Sequence, residues 1–284
     1  MAAGDPIEAN LSSKTYVVTG SNTGIGKEIA RGLNRLGARV ILACRNQTKA
    51  AAAKDDIVSS TGNDAVELIA LDQGDPSSVK AFAAEVAQRH DQLDGLVNNA
   101  GCWLTTYELD PQGIERTFTV NTLGYWRLTN ALEPLLIEGG GGRVVNVASE
   151  MAYGLQADDL GYQRRRWSGP AAYAQSKQGN RMLSWVRAER LRDKGVTVNA
   201  LHPGVVSTEI ARNGRGIVGG VSRVYFKVFG LTPTMGADTA LWLAASPEAE
   251  GHTGKFWVKR RQKRRRFHDM ERNRALWKQL ESLG

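Results

Sequence analysis

The sequence predicts an α/β fold built on one doubly wound parallel sheet of about seven strands, with helices on both faces. Three observations predict it. Short runs rich in β-branched residues recur along the chain, stretches with helical spacing separate them, and a glycine-rich turn joins the first run to the first such stretch. Alternation of this kind requires crossover connections, which lay the strands parallel and cover both faces of the sheet. The strand runs are TYVVTG, ARVILAC, AVELIAL, LDGLVNN, GRVVNVAS, GVTVNAL and GKFWV, and helical spacing begins near Gly24, Gln47, Pro76, Pro111, Pro170 and Thr234. Three of those starts are prolines, which suit a first helical turn because the missing N–H has no partner there.

A chain of 284 residues, 42% hydrophobic and 23% charged, fits one large globular domain with a core that needs no metal or disulfide. Cys44 and Cys102 are the only cysteines and the four histidines are scattered, so no metal site is expected. Two reduced thiols in a cytoplasmic setting are the expectation. No stretch approaches the roughly 20 apolar residues of a spanning helix. The opening MAAGDPIEANLSSK has Asp5, Glu8 and no apolar run, unlike a secretory signal.

The net charge is +8, but the run KRRQKRRR at 259–266 holds seven positive charges and leaves +1 elsewhere. A domain built to track phosphates would spread its charge over a folded face. The composition break at Lys259 predicts a body of residues 1–258 and a basic tail of 259–284, with a short amphipathic helix within 269–280. A solvated tail is the favoured reading; contact with an anionic surface, RNA or an acidic partner is the other.

The first strand runs into Thr19-Gly20-Ser21-Asn22-Thr23-Gly24-Ile25-Gly26 and then a helix. Glycines permit positive φ and close backbone approach, and the helix N-terminus offers N–H groups and a favourable dipole to a diphosphate. The spacing G-x-x-x-G-x-G differs from G-x-G-x-x-G, so the strand–turn–helix context, more than the spacing, separates it from a plain βα loop. At the end of the second strand an NAD-preferring fold places an acid for the ribose 2′-hydroxyl. Here Cys44 and Arg45 stand there. Arg45 would receive a 2′-phosphate, which predicts NADP(H); the alternative is a surface arginine at a strand end.

Tyr173 and Lys177 are four residues apart in a helical stretch, on one helix face. A free phenol titrates near 10, about three units above neutrality. A lysine cation and an oxidised nicotinamide beside it would lower that value and make the phenol a proton shuttle. Tyr-x-x-x-Lys alone is a weak pattern.

Together with Asp72 after the third strand, NNAG at 98–101, Asn121, Ser149 ending VVNVAS, and HPGVVST at 202–208, the chain resembles the short-chain dehydrogenase/reductase family from residue 14 to about 258. The resemblance implies a Rossmann-type catalytic domain and a hydride passed between the nicotinamide and a carbonyl or alcohol carbon. It implies Tyr173 as general acid or base, Lys177 as the group that lowers its pKa and holds the ribose, and Ser149 on the substrate oxygen. Asn121 would link Lys177 to solvent through a water-lined path. Gly20, Ser21, Asn22, Thr23, Gly24, Ile25 and Gly26 would surround the diphosphate, and Asp72 would lie near the adenine. Asn99, Ala100 and Gly101 would run along the cofactor, with Pro203, Gly204, Val206 and Thr208 near the carboxamide.

Tyr173 follows Ser149 by 24 positions, wider than in the commoner members. With GSNTGIGKEIA and ACRN, this is similar to the retinol dehydrogenase-like branch, whose members often reduce lipophilic carbonyls with NADPH. Two departures stand out: the chain starts almost at its first strand, and Gln178-Gly179 replaces an apolar pair, placing a flexible residue in the catalytic helix. Arg164, Arg165 and Arg166 in the inserted loop read as solvated, or as a lure for an acidic substrate or lipid headgroup. Residues 209–234 carry glycines before an aromatic stretch, which reads as an apolar lid or as a helix packed on the core. The rival functions are a non-catalytic NADPH-binding scaffold and a steroid- or sugar-type alcohol dehydrogenase working oxidatively. The segment 112–137 is the candidate face for a homo-oligomer.

Overall fold

The computed structural model describes residues 5–205 and 231–283. Among these, eight strands form one sheet in the order β3-β2-β1-β4-β5-β6-β7-β8. They are β1 (Thr15–Thr19), β2 (Arg39–Cys44), β3 (Val66–Ala70), β4 (Gly95–Asn98), β5 (Arg143–Val147), β6 (Thr197–His202), β7 (Phe256–Val258) and β8 (Arg261–Lys263). The first seven are parallel and lie where the sequence predicts strands; β8 returns antiparallel to β7. Chain order runs outward from β1 in both directions, so a crevice opens at the carboxyl ends of β1 and β4.

The strands sort their side chains by alternation. Val18, Leu42 and Val145 pack on one face with Ile29 and Leu33 of α1 (Gly24–Arg35) and Trp242 and Leu243 of α7 (Pro233–Ala245). Val17, Ile41 and Val144 turn to the other face, against Phe82 and Val86 of α3 (Pro76–Arg89) and Leu128, Leu132 and Leu136 of α5 (Gly124–Glu138). Caps fix where the helices begin and end. Asn46 accepts from Lys49 N at 2.9 Å ahead of α2 (Gln47–Thr61), and Gly62 ends α2 in the left-handed region at φ 75°. Substituting such a cap by alanine typically costs about 1 kcal/mol.

Pro111 does not open a helix. Asp110 Oδ1 accepts from both Gln112 N and Ile114 N at 2.9 Å, closing a turn in which Pro111 sits. That turn consumes the N–H groups a helix would need. Helical structure starts at α4 (Arg116–Phe118), whose cap Glu115 accepts from Phe118 N at 3.0 Å, and passes through a π-turn (Thr119–Leu123) into α5.

The basic run at 259–266 contains the eighth strand. Lys259 and Arg260 both have positive φ, 52° and 55°, and form a two-residue hairpin turn between Val258 and Arg261. Such turns favour Asn-Gly; here ties from Arg260 hold the turn. Its Nε donates to Asp238 Oδ2 at 2.8 Å, and its N–H to Thr239 Oγ1 at 3.1 Å. Beyond the hairpin, α8 (Met270–Glu281) buries Leu276, Trp277 and Leu280 against Trp126, Leu183 and Val186. The boundary expected after residue 258 therefore coincides with a tight turn between paired strands.

Gly179 has a packing role in α6 (Gly169–Arg190), in place of the flexibility expected of it. A Cβ there would come within 2.8 Å of Thr122 Cγ2 and 3.1 Å of Phe118 Cε2. The missing side chain lets α6 close on the π-turn. Gln178 is buried, and its Oε1 accepts from Leu155 N at 3.0 Å. Gly179→Ala should destabilise the protein by about 1–3 kcal/mol through overpacking. Urea unfolding would register this as a lower midpoint with an unchanged slope, and a midpoint equal to wild type would refute it.

Candidate active site at the carboxyl ends of the strands

The turn after β1 is built for close approach. Gly20 and Gly24 have φ of 62° and 57°. A Cβ on Gly20 would lie 2.9 Å from Ala100 Cα, and one on Gly26 would lie 2.5 Å from Gly20 O and 2.4 Å from Asn99 Nδ2. The turn is thus pressed against the NNAG segment. Ser21 lies beneath it, buried, with Oγ donating to Val18 O at 2.8 Å, so this side chain supports the turn from below. Asn22, Thr23, Gly24 and Ile25 are partly exposed on top. Thr23 caps α1 without a side-chain bond to its first turn, which leaves those N–H groups to face an anion. This cradle fits a nucleotide diphosphate.

One residue that binds the crevice together was missed by motif reading. Thr19 Oγ1 accepts from Asn99 N at 3.0 Å and Ala100 N at 2.9 Å, while Asn99 Nδ2 donates back to Thr19 O at 2.9 Å. Its position, last in a buried strand and just before the glycines, is the signal that was available. At the neighbouring strand ends, Arg45 Nη1 stands 3.8 Å from Asp72 Oδ2, with the Arg45 side chain 79% exposed. An exposed pair this loose stabilises little and leaves the guanidinium able to bind another anion. Asp72 Oδ1 also accepts from Gly74 N at 2.9 Å.

The four expected catalytic residues converge from three elements. Ser149 stands just beyond β5, close enough to the Tyr173 phenol to lower its pKa, and its Oγ accepts from Met151 N at 3.0 Å. Lys177, one turn along α6, has Nζ 5.7 Å from the Tyr173 ring centroid and donates to Val147 O at 2.8 Å. Asn121 lies in the middle of the π-turn, a feature frequent at functional sites. Its side chain clamps Cys102 at two points, accepting from Cys102 N at 2.8 Å and donating to Cys102 O at 2.9 Å. A Cβ on Gly101 would lie 3.2 Å from Asn121 Oδ1 and 3.7 Å from Lys177 Nζ, so the NNAG segment ends among these groups.

With the chain's own groups alone, the electrostatic balance favours the neutral phenol. Burial pushes the Tyr173 phenol up to about 12, against a smaller lowering by the nearby Ser149 hydroxyl. Burial also brings the Lys177 ammonium down to about 8. In the protein alone desolvation is the largest influence on both groups, and the phenol keeps its proton at neutral pH.

Among the inserted arginines, Arg165 is structural and not solvated. Its guanidinium lies 4.0 Å over the Tyr162 ring centroid, its Nε is 3.3 Å from buried Asp159 Oδ2, and it donates to Gln175 Oε1 on α6. Arg164 pairs with Asp158 at the surface, and Arg166 is exposed. Pro203 and Gly204 follow β6, Gly204 with φ 87° and no room for a Cβ against Leu231 Cδ1 at 2.4 Å. Val206, Thr208 and most of the 209–234 segment lie outside the described residues. Trp103 was not anticipated: its indole stacks on the Tyr173 ring, with centroids 4.8 Å apart and planes 18° from parallel. Among the described residues no cluster of His, Cys, Asp and Glu suits a metal ion, and no helix is long and apolar enough to cross a membrane.

Thr19→Val keeps the shape of that side chain and removes the acceptor for two N–H groups. We expect a loss of about 2 kcal/mol in urea unfolding. Stability within a few tenths of a kcal/mol of wild type would show that these contacts matter little.

Comparison with known proteins agrees with this geometry. Residues 14–216 match the family model for short chain dehydrogenase. Human retinol dehydrogenase 13 is 37% identical over 281 residues, covering 96% of this chain and 85% of the relative. Mouse retinol dehydrogenase 12 is 39% identical over 249 residues, covering 87% and 78%. Among solved structures, a protein from Mycobacterium Paratuberculosis superposes with a TM-score of 0.76 at 30% identity, covering 97% of this chain and 95% of that one. The NADP active-site complex of Pseudomonas aeruginosa RhlG superposes at 0.70 and 25% identity, covering 87% and 94%. On the match over residues 14–216 and these whole-length likenesses, the chain belongs to the short-chain dehydrogenase family and is similar throughout to its retinol dehydrogenases.

Proposed function

We propose that this protein is an NADP(H)-dependent oxidoreductase that interconverts a carbonyl and an alcohol on a lipophilic substrate, with Tyr173 as the general acid or base. The observation that carries this reading is the convergence of Ser149, Tyr173 and Lys177 beside the glycine turn, where the strand order reverses. The turn of Gly20 to Gly26 would hold the diphosphate, Arg45 the 2′-phosphate, Asp72 the adenosine end, and Asn99, Ala100 and Gly101 the flank. Pro203, Gly204, Val206 and Thr208 would face the carboxamide. When bound, the nicotinamide supplies or accepts the hydride.

The remaining chemistry belongs to the chain. Tyr173 Oη gives its proton to the substrate oxygen as negative charge develops there, and Ser149 Oγ donates a hydrogen bond to the same oxygen. Lys177 holds the ribose and faces the phenol, and Asn121 keeps a proton path to Lys177 open. A phenol raised to about 12 keeps its proton at neutral pH, the form from which carbonyl reduction draws.

Exposed large apolar side chains among the described residues support a lipophilic substrate. Tyr107, Leu109, Tyr153 and Val205 are each about two-fifths to one-half exposed. All four lie on segments leaving the carboxyl ends of β4, β5 and β6, the end where ligands enter this sheet type. The similar relatives carry retinol dehydrogenase in their names.

NADPH consumption with a panel of aliphatic, aromatic, steroid and retinoid carbonyls tests this reading. Turnover should fall by about 10²–10⁴-fold in Tyr173→Phe, and NADPH binding without turnover in either direction would replace the enzyme by a scaffold. Arg45→Ala should weaken NADPH by about tenfold or more, the worth of a charge-assisted contact, while leaving NADH unchanged. Equal NADPH affinity in that variant would remove Arg45 from the cofactor site.

A further inference from the structure

Trp103 is held from three directions. Its preceding residue, Cys102, has both backbone polar groups engaged by Asn121. Its indole edge lies against the first residue of α6, where a Cβ on Gly169 would fall 2.5 Å from Leu104 O and 3.0 Å from Trp103 Nε1. Its face lies on the Tyr173 ring at 4.8 Å. The π-turn, the start of α6 and the phenol thus fix a half-buried indole at the mouth of the crevice. Tryptophan is large, stiff and able to stack, so a contact of this kind both orients its partner and excludes water from it.

The spacing also sets a steric limit. A group inserted between two rings needs carbon contacts of about 3.5 Å on each side, hence ring separations near 7 Å. At 4.8 Å nothing fits between indole and phenol. A substrate whose oxygen reaches Tyr173 Oη and Ser149 must keep the substituent on the indole side outside that stack.

We propose that Trp103 is a positioning and specificity residue, which holds and shields the Tyr173 phenol and limits the size of the smaller substituent on the reacting carbon. This rests on the oxidoreductase reading above. The groups facing the phenol are Ser149 after β5, Cys102 after β4, Tyr125 of α5 and Lys177 of α6. Beside these polar groups Trp103 is the apolar wall, and removing it lets water reach Oη.

Two measurements on the full-length protein test this, using Trp103→Ala, Trp103→Leu and Trp103→Phe. Ultraviolet titration of tyrosinate, with Tyr173→Phe as the blank, reads the shielding without any turnover. Trp103→Ala should ionise Tyr173 at lower pH than wild type, with Trp103→Phe restoring the wild-type curve. Should the alanine variant fail to fold, Trp103→Leu keeps apolar bulk without a stack and should show the same direction. The second measurement is the ratio of kcat/KM for a diaryl ketone over an aryl methyl ketone. It should rise about tenfold or more in Trp103→Ala or Trp103→Leu and return in Trp103→Phe. An unmoved titration overturns the shielding, and a uniform loss on both ketones overturns the size limit. A wild type inactive on every carbonyl would count against the oxidoreductase reading alone, and the titration would still decide the role of Trp103.

Discussion

The site depends on one close approach, that of the turn after β1 to the segment after β4. β1 pairs with β2 on one side and β4 on the other, so the chain must leave its carboxyl end between two diverging connections. Thr19 closes that gap by accepting two N–H groups of the NNAG segment, and Gly20 and Gly26 leave no side chain to hold the segments apart. Without this contact, the α1 N-terminus and the residues that follow β4 would share no fixed geometry. The proposed diphosphate cradle and the proposed catalytic residues would then be independent features.

A second constraint positions the catalytic helix. α6 docks on the π-turn around Ser176, which lies between Tyr173 and Lys177. Thr122 Oγ1 donates to Ser176 O at 2.7 Å, and Asn121 Nδ2 donates to Ser176 Oγ at 3.1 Å. Gly179 permits this contact by presenting no Cβ to Thr122. Asn121 therefore serves two partners, gripping Cys102 on one side and α6 on the other. A π-turn suits that task because its widened backbone disturbs the regular i→i−4 ladder at the point where a helix must meet a loop. The cost of this tight docking is desolvation, which raises the phenol and lowers the ammonium.

Local patterns were legible and tertiary contacts were not. Seven strands follow from β-branched runs, the glycine turn from its place between a strand and a helix, and the shared face of Tyr173 and Lys177 from helical spacing, all of which a single sequence displays. Pro111 misled because its turn is closed by the neighbouring Asp110, a side-chain bond that competes with helix without altering composition. Gly179 read as a flexible point because its partner, Phe118 or Thr122, is more than fifty residues away in sequence. Arg165 read as solvated for the same reason: Asp159, Tyr162 and Gln175 convert a loop charge into a staple only after the loop folds onto α6. Trp103 belongs with these, since nothing in NNAGCW announces that its sixth residue will lie on a phenol 70 positions later.

The basic run shows why a charge count overstates what a segment offers to partners. Arg260 is committed to Asp238 and to the Asp5 carbonyl, and Arg265 lies 5.2 Å over the Trp185 ring. The Arg260 charge is thus consumed within the fold, while Arg265 stays exposed beside the indole. Arg261 and Lys263 lie exposed on β8, the last strand of the sheet among the described residues. An edge strand presents unpaired backbone groups that invite another sheet, and charged side chains there discourage such pairing. Part of the run is thus explained by holding a hairpin whose turn lacks glycine, and part by protecting the edge that the hairpin creates. Neither role requires nucleic acid or a lipid surface, and both follow from placing a strand where the composition suggests a tail.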